Sequence, residues 1–129
     1  MKDFNERAEQ AAEMFLSRRG YDILERTWET EGDESPIDIV AKDEADGIVF
    51  VTVRARKGAE KGFPESNLDR EALEKFAVKW FTAHPDDCVD CPFRFDVVAL
   101  ITLTESRAMI RHHINCMSVS CDINDPEEE

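Results

Sequence analysis

The sequence predicts an α/β fold in which a mixed sheet is flanked by helices. Three observations carry this. Apolar residues recur at helical spacing in two separate segments, residues 4–19 and 68–83. Between and after them stand short runs rich in Val, Ile and Phe, one of which alternates over residues 48–56. The resulting order is helix, three strands, helix, two strands, which suits a sheet buried between helical layers.

Each element has its own signal. Phe4, Ala8, Ala11, Ala12, Phe15 and Leu16 form the stripe of the first helix, and Gly20 stops it just past Arg18 and Arg19. Tyr21 to Trp28 reads as a strand, and GDESP at 32–36 as a loop. Ile37 to Lys42 is a short strand, and the Asp- and Gly-rich stretch Asp43 to Gly47 turns it into the next. Ile48 to Arg56 then sends Val49, Val51, Val53 and Ala55 to one face and Phe50, Thr52, Arg54 and Arg56 to the other. Two glycines and Pro64 mark residues 58–67 as a loop. Leu73, Phe76, Ala77, Trp80 and Phe81 form the buried stripe of the second helix. After the loop HPDDCVDCP, Phe95 to Thr104 and Ala108 to His113 read as paired strands.

The 129 residues make one domain by length, expected over 1–122, with an acidic tail at 123–129. No apolar run approaches the roughly 20 residues of a membrane span, and the N-terminus has no signal-peptide core. The expectation is a cytoplasmic protein with no membrane partner. The net charge of −13 keeps the chain soluble and repels phosphates overall. Nucleic-acid binding would therefore need a local basic patch, for which Arg54, Arg56, Lys57 and Lys61 are the candidates.

Several stretches together resemble the YraN-like family, a bacterial family expected to have a restriction-endonuclease-like fold. AEQAAEMFLSRRGYDIL is similar to the family's opening helix, IDIVAKD to its G-E-I-D-L-I-A stretch, and IVFVTVRAR to V-F-V-E-V-K-x-R. RFDVVAL resembles its R-F-D-V-V strand, and HHINCM its closing H-I-x-N-A-F. The resemblance implies a nuclease-type site: an Asp opening one hairpin strand, an acid-x-Lys triplet on the next, and a Glu on the first helix. Carried over residue by residue, these are Asp38, Thr52-Val53-Arg54 and Glu9. Asp38, Thr52, Arg54 and Glu9 are thus the candidate catalytic residues, with Asp38 the candidate metal ligand.

The chemistry explains the residue types. Phosphodiester hydrolysis by such a site uses a cation such as Mg²⁺ to polarise the phosphate and activate water. Mg²⁺ takes hard oxygen ligands, commonly one or two carboxylates with waters and substrate phosphate. Here the triplet's acid is Thr52, a neutral hydroxyl, and its lysine is Arg54, which stays protonated and can grip phosphate but not act as a base. Ser35-Pro36 stands where the family has Gly-Glu. The Mg²⁺ site is expected to be weakened unless Glu65 or Asp96 supplies a replacement acid.

Cys88 and Cys91 form a CxxC, and Cys116 and Cys121 follow at wider spacing. A structural zinc usually takes two close pairs, so reduced thiols are favoured over zinc. Three functional readings stay open: a degenerate endonuclease relative that still binds DNA or RNA, an active Mg²⁺-dependent endonuclease with a replacement acid, and a non-catalytic domain that binds a protein partner. The resemblance also allows a homodimer.

Overall fold

The computed structural model describes residues 4–27, 35–64, 68–85, 92–104 and 106–115, apart from the side chain of residue 5. The four cysteines, Glu65 and the acidic tail fall outside the described residues, and the expectations that rest on them lie there too. The elements are α1 (Phe4–Arg18), β1 (Asp22–Arg26), β2 (Ile39–Lys42), β3 (Ile48–Lys57), α2 (Arg70–Ala83), β4 (Phe93–Thr104) and β5 (Arg107–His113).

The strands form one five-stranded sheet in the order β1-β2-β3-β4-β5. Three neighbour pairs are antiparallel, while β3 and β4 run parallel. A parallel pair needs a crossover connection, and α2 lies on the chain between these two strands. This is the expected mixed-sheet α/β sandwich, and its layout is consistent with a restriction-endonuclease-like core. Among the described residues no helix is long and apolar enough to cross a membrane.

The alternation of β3 divides the core as its sequence predicts. On one face Val49 and Val51, with Ile39, Ala41, Val98 and Leu100, pack against Ala12 and Leu16 of α1. On the other, Ile48 and Phe50, with Val40 and Phe95, pack against Leu73, Ala77 and Trp80 of α2. Phe50 is the hub of the second face. Its ring lies 5.4 Å from that of Phe95, 6.0 Å from Phe76, 5.9 Å from Trp80 and 5.6 Å from Phe81.

The helix ends follow from local chemistry. Gly20 has φ +93°, the Gly20 N–H donates to the Ser17 carbonyl, and the Tyr21 N–H donates to that of Leu16. This is a Schellman motif, which favours glycine at its left-handed position. α2 begins at Asp69, whose carboxylate accepts the Ala72 N–H at 3.2 Å.

All five strands differ from their expected bounds: β3 runs one residue further, to Lys57, β4 starts two residues earlier, at Phe93, and β5 one earlier, at Arg107. Of the predicted Tyr21–Trp28, Tyr21 and Thr27 lie outside β1 and Trp28 lies outside the described residues; the strand carries a bulge, its pairing skipping from Ile23↔Ala41 to Glu25↔Val40. Leu24 is left unpaired and 44% exposed. β2 starts at Ile39, two residues later than predicted: the Asp38 backbone still bonds to Val51 and Thr27 outside the regular ladder, while the Pro36 and Ile37 carbonyls are met by hydroxyls and the Val53 N–H by the Asp38 carboxylate.

Candidate functional site

The β2–β3 ladder stops at Ile39↔Val51. Just beyond it, Asp38 is held by its backbone on both sides. Its N–H donates to the Val51 carbonyl at 2.8 Å, and its carbonyl accepts the Thr27 N–H at 3.0 Å. The next bond along is made by its side chain: Asp38 Oδ2 accepts the Val53 N–H at 2.7 Å. The Ile37 carbonyl is satisfied by the hydroxyls of Ser35 and Thr27 instead. The carboxylate is thereby fixed at the end of the strand pair.

This carboxylate opens on a cleft of about 180 Å³ lined by Ala8 and Glu9 of α1, by Ser35 and Asp38, and by Val53, Arg54 and Ala55 of β3. Three of the four residues singled out as catalytic candidates, Glu9, Asp38 and Arg54, therefore line one cleft. Thr52 is not among its lining residues. It shares a strand face with Arg54 but is only 2% exposed, and its hydroxyl donates to the Pro36 carbonyl at 2.8 Å. At this position the side chain ties β3 to the segment before β2.

The donor set can be weighed against the Mg²⁺ that the resemblance implies. Two carboxylates line the cleft, and one oxygen of Asp38 already accepts a backbone N–H. Among the described residues no group of three or more His, Cys, Asp or Glu side chains is arranged to hold a metal ion. Among the described residues, the set falls short of the full nuclease-type arrangement.

The basic stretch is divided by the pleat. The Arg56 guanidinium donates to the carbonyls of Lys61 and Gly62 at 3.1 and 3.2 Å, closing the loop after β3. Lys57 turns to α1, with its ammonium 5.1 Å from the centre of the Phe4 ring. Arg54 lines the carboxylate cleft. The four cations thus do not make one continuous strip.

Asp96, weighed from sequence as a replacement acid, sits elsewhere. Its side chain is fully buried and accepts Nε–H and Nη2–H of Arg94 at 3.0 and 3.3 Å, and the Asn115 N–H at 2.8 Å. His112 Nε2 stands 2.8 Å from Asp96 Oδ2. Since a carboxylate accepts only, that nitrogen carries the proton. Nδ1 of His112 is buried and finds no partner among the described residues. Arg94 also donates to Asp43 and to the Tyr21 hydroxyl, both at 2.7 Å.

These contacts shift three ionisable groups. Burial raises the Tyr21 phenol above its usual value, with Arg94 working against it. Burial opposes the Arg94 cation, but its bonds and attraction to Asp96, with Tyr21 and Asp43, outweigh this and raise its pKa. Burial likewise opposes the Asp43 carboxylate. The N–H groups of Gly47 and Ala45 and the Arg94 guanidinium overcome that and hold it below its usual value. From sequence, Asp96 is a candidate to replace the missing acid, and the structure instead gives it Arg94 as a partner. The sequence reading missed Tyr21, Asp43 and His112, for which the one available signal was the i, i+2 spacing of Arg94 and Asp96 on one strand face.

Comparison with known proteins finds similar sequences over most of the chain. The model of the uncharacterised protein family UPF0102 matches residues 8–100. A UPF0102 protein of Roseiflexus castenholzii is 39% identical over 108 residues, covering 81% of this chain and 84% of that protein. One from Trichlorobacter lovleyi is 33% identical over 115 residues, 87% of each chain. One from Geobacter sulfurreducens is 32% identical over 117 residues, 88% of each.

Proposed function

The chain belongs to UPF0102, the family of YraN-like proteins, and from that premise we propose that it binds nucleic acid at a nuclease-type cleft whose metal-dependent cleavage is weakened or lost. The observation that carries this reading is Thr52. Where the resemblance implies an acid, the chain has a buried hydroxyl bonded to the Pro36 carbonyl. Asp38 and Glu9 are the carboxylates that line the cleft. Mg²⁺ held by two carboxylates depends on substrate phosphate to complete its shell, so a missing acid weakens the site before substrate arrives.

The remaining residues suit binding. Arg54 lines the same cleft, and a guanidinium can clamp two phosphate oxygens at once. It cannot serve as a general base, because it stays protonated. Asp38, fixed by the Val53 N–H, would orient any cation or water that a bound phosphate brings. The buried engagement of Asp96 with Arg94 and His112 speaks against its acting as the replacement acid of an active enzyme.

The test is binding of labelled single-stranded, duplex and branched DNA across a salt series, for wild type and Arg54→Ala. Affinity that falls with salt and drops in the variant supports the reading. Absence of binding to every substrate at low salt would overturn it and leave the protein-partner reading.

A further inference from the structure

A second cleft, of about 520 Å³, lies between α1 and the carboxyl ends of β3 and β4. We infer that it seats the sugar-phosphate backbone of a single-stranded nucleic acid as that strand leaves the Asp38–Glu9–Arg54 cleft. The inference rests on the nucleic-acid reading above and adds where the strand runs.

Charge is the first argument. The chain has 29 carboxylates against 16 Lys and Arg. Yet the charged side chains among the described residues lining this cleft are Arg7, Lys57 and Arg107, with no Asp or Glu. They come from α1, β3 and β5, so the fold gathers cations that lie far apart in sequence. The Lys57 ammonium is positioned by the Phe4 ring, which restricts its motion before any ligand arrives. The hydroxyls of Thr102, Thr104 and Ser106 also line the cleft, and these groups hydrogen-bond phosphate and sugar oxygens.

Topology is the second argument. β3 and β4 are the parallel pair of the sheet, and ligands of open α/β sheets bind beyond the carboxyl ends of parallel strands. At that end Gly58 takes φ +76°, and its N–H donates to the Thr102 carbonyl at 2.8 Å. The chain turns away there and leaves the strand ends open to the cleft.

Continuity is the third. Ala8 lines both clefts. On either side of it in sequence, Arg7 lines the cationic cleft and Glu9 the carboxylate one. Along β3, Ala55 lines the carboxylate cleft and Lys57 the cationic one. Arg54 of the first cleft and Lys57 of the second are three strand residues apart, about 10 Å, a distance that an extended single strand can cover. A strand whose phosphate meets Arg54 in one cleft would meet Lys57 in the next.

The experiment measures binding of labelled oligothymidylate by fluorescence anisotropy over a salt series. The proteins are wild type, Lys57→Gln/Arg107→Gln, Arg54→Ala and Arg70→Gln/Lys75→Gln, each checked for an unchanged thermal midpoint. The cationic-cleft variant is expected to bind more weakly and to lose about 0.7 from the log–log salt slope for each charge removed. Wild-type affinity should also rise from dinucleotide to dodecanucleotide, whereas Arg70→Gln/Lys75→Gln, on the exposed face of α2, should change little. If Arg54→Ala weakens binding and Lys57→Gln/Arg107→Gln does not, the second cleft is refuted while the nucleic-acid reading stands. Affinity independent of oligonucleotide length would also refute it, pointing to a site for small phosphate compounds. If wild type binds none of these, both readings fall.

Discussion

Replacing Asp96 by Ala should cost this protein a large part of its stability. The carboxylate is fully buried and accepts two bonds from Arg94, one from His112 and one from the Asn115 N–H. In Asp96→Ala, the His112 donor, on a side chain only 4% exposed, loses that partner in a buried place, where an unmet donor costs about 1–3 kcal/mol, whereas the exposed Asn115 can turn its N–H to water. Arg94 keeps Asp43 and Tyr21 and is 21% exposed, so its charge is only partly stranded. The total falls at about 3–5 kcal/mol, the usual cost of breaking a buried pair by removing one partner. Against a whole-domain stability of about 5–15 kcal/mol, the variant should be near the edge of folding at 37 °C. Urea unfolding followed by circular dichroism measures it, with the midpoint shifting and the slope m unchanged. Lys75→Ala is the control: its partner Glu71 is one helical turn away and both side chains are over three-quarters exposed, so the pair contributes at most about 0.5 kcal/mol. A loss below about 1 kcal/mol for Asp96→Ala would refute the view that the network holds the sheet's β4–β5 edge to the β2–β3 turn.

Three further outcomes are expected. Thr52→Val should lose about 1–2 kcal/mol by stranding the Pro36 carbonyl while leaving nucleic-acid affinity unchanged; unchanged stability with reduced affinity would mean that the hydroxyl faces ligand. Phe50→Ala should cost about 3–5 kcal/mol, since the ring is fully buried and central to the α2 face, and a change within experimental error in the urea midpoint would contradict that role. Asp43, held below its ordinary carboxyl value, contributes stability that is present above about pH 4 and lost as pH falls through its folded pKa. The acid limb of a stability–pH curve should accordingly flatten in Asp43→Asn, and an identical limb in variant and wild type would speak against the Arg94 and Gly47 bonds.

The elements that the sequence revealed are those set by local periodicity. The α1 stripe of Ala8, Ala12 and Leu16 and the alternation of β3 reach the two cores as expected. Gly20 marks a helix end because only its own backbone needs are involved. What was hidden depends on partners distant in sequence. Leu24 lies in a strand as expected, but the bulge set by pairing with β2 leaves it unpaired and exposed. Ile37 and Asp38 looked like ladder residues, but hydroxyls from Thr27, Ser35 and Thr52 and the Asp38 carboxylate take over the bonds there. The candidate site was legible in part for the same reason. Strand alternation put Thr52 and Arg54 on one face, yet only the segment folded over Thr52 decides that its hydroxyl meets a carbonyl. The division of the basic stretch between Arg56 and Lys57 was implicit in the period-two pleat. The contribution of Arg7 and Arg107 to a shared cleft needed the sheet order.

We propose that the cleft lined by Asp38, Glu9 and Arg54 binds nucleic acid without efficient metal-dependent cleavage, because Thr52 stands where the acid would. The most direct measurement is Mg²⁺- and Mn²⁺-dependent cleavage of single-stranded, duplex and branched DNA by wild type, Asp38→Ala and Thr52→Glu, on substrates that wild type binds. The account predicts that wild type cleaves no faster than Asp38→Ala and that any gain appears in Thr52→Glu. Cleavage by wild type that Asp38→Ala abolishes would contradict it.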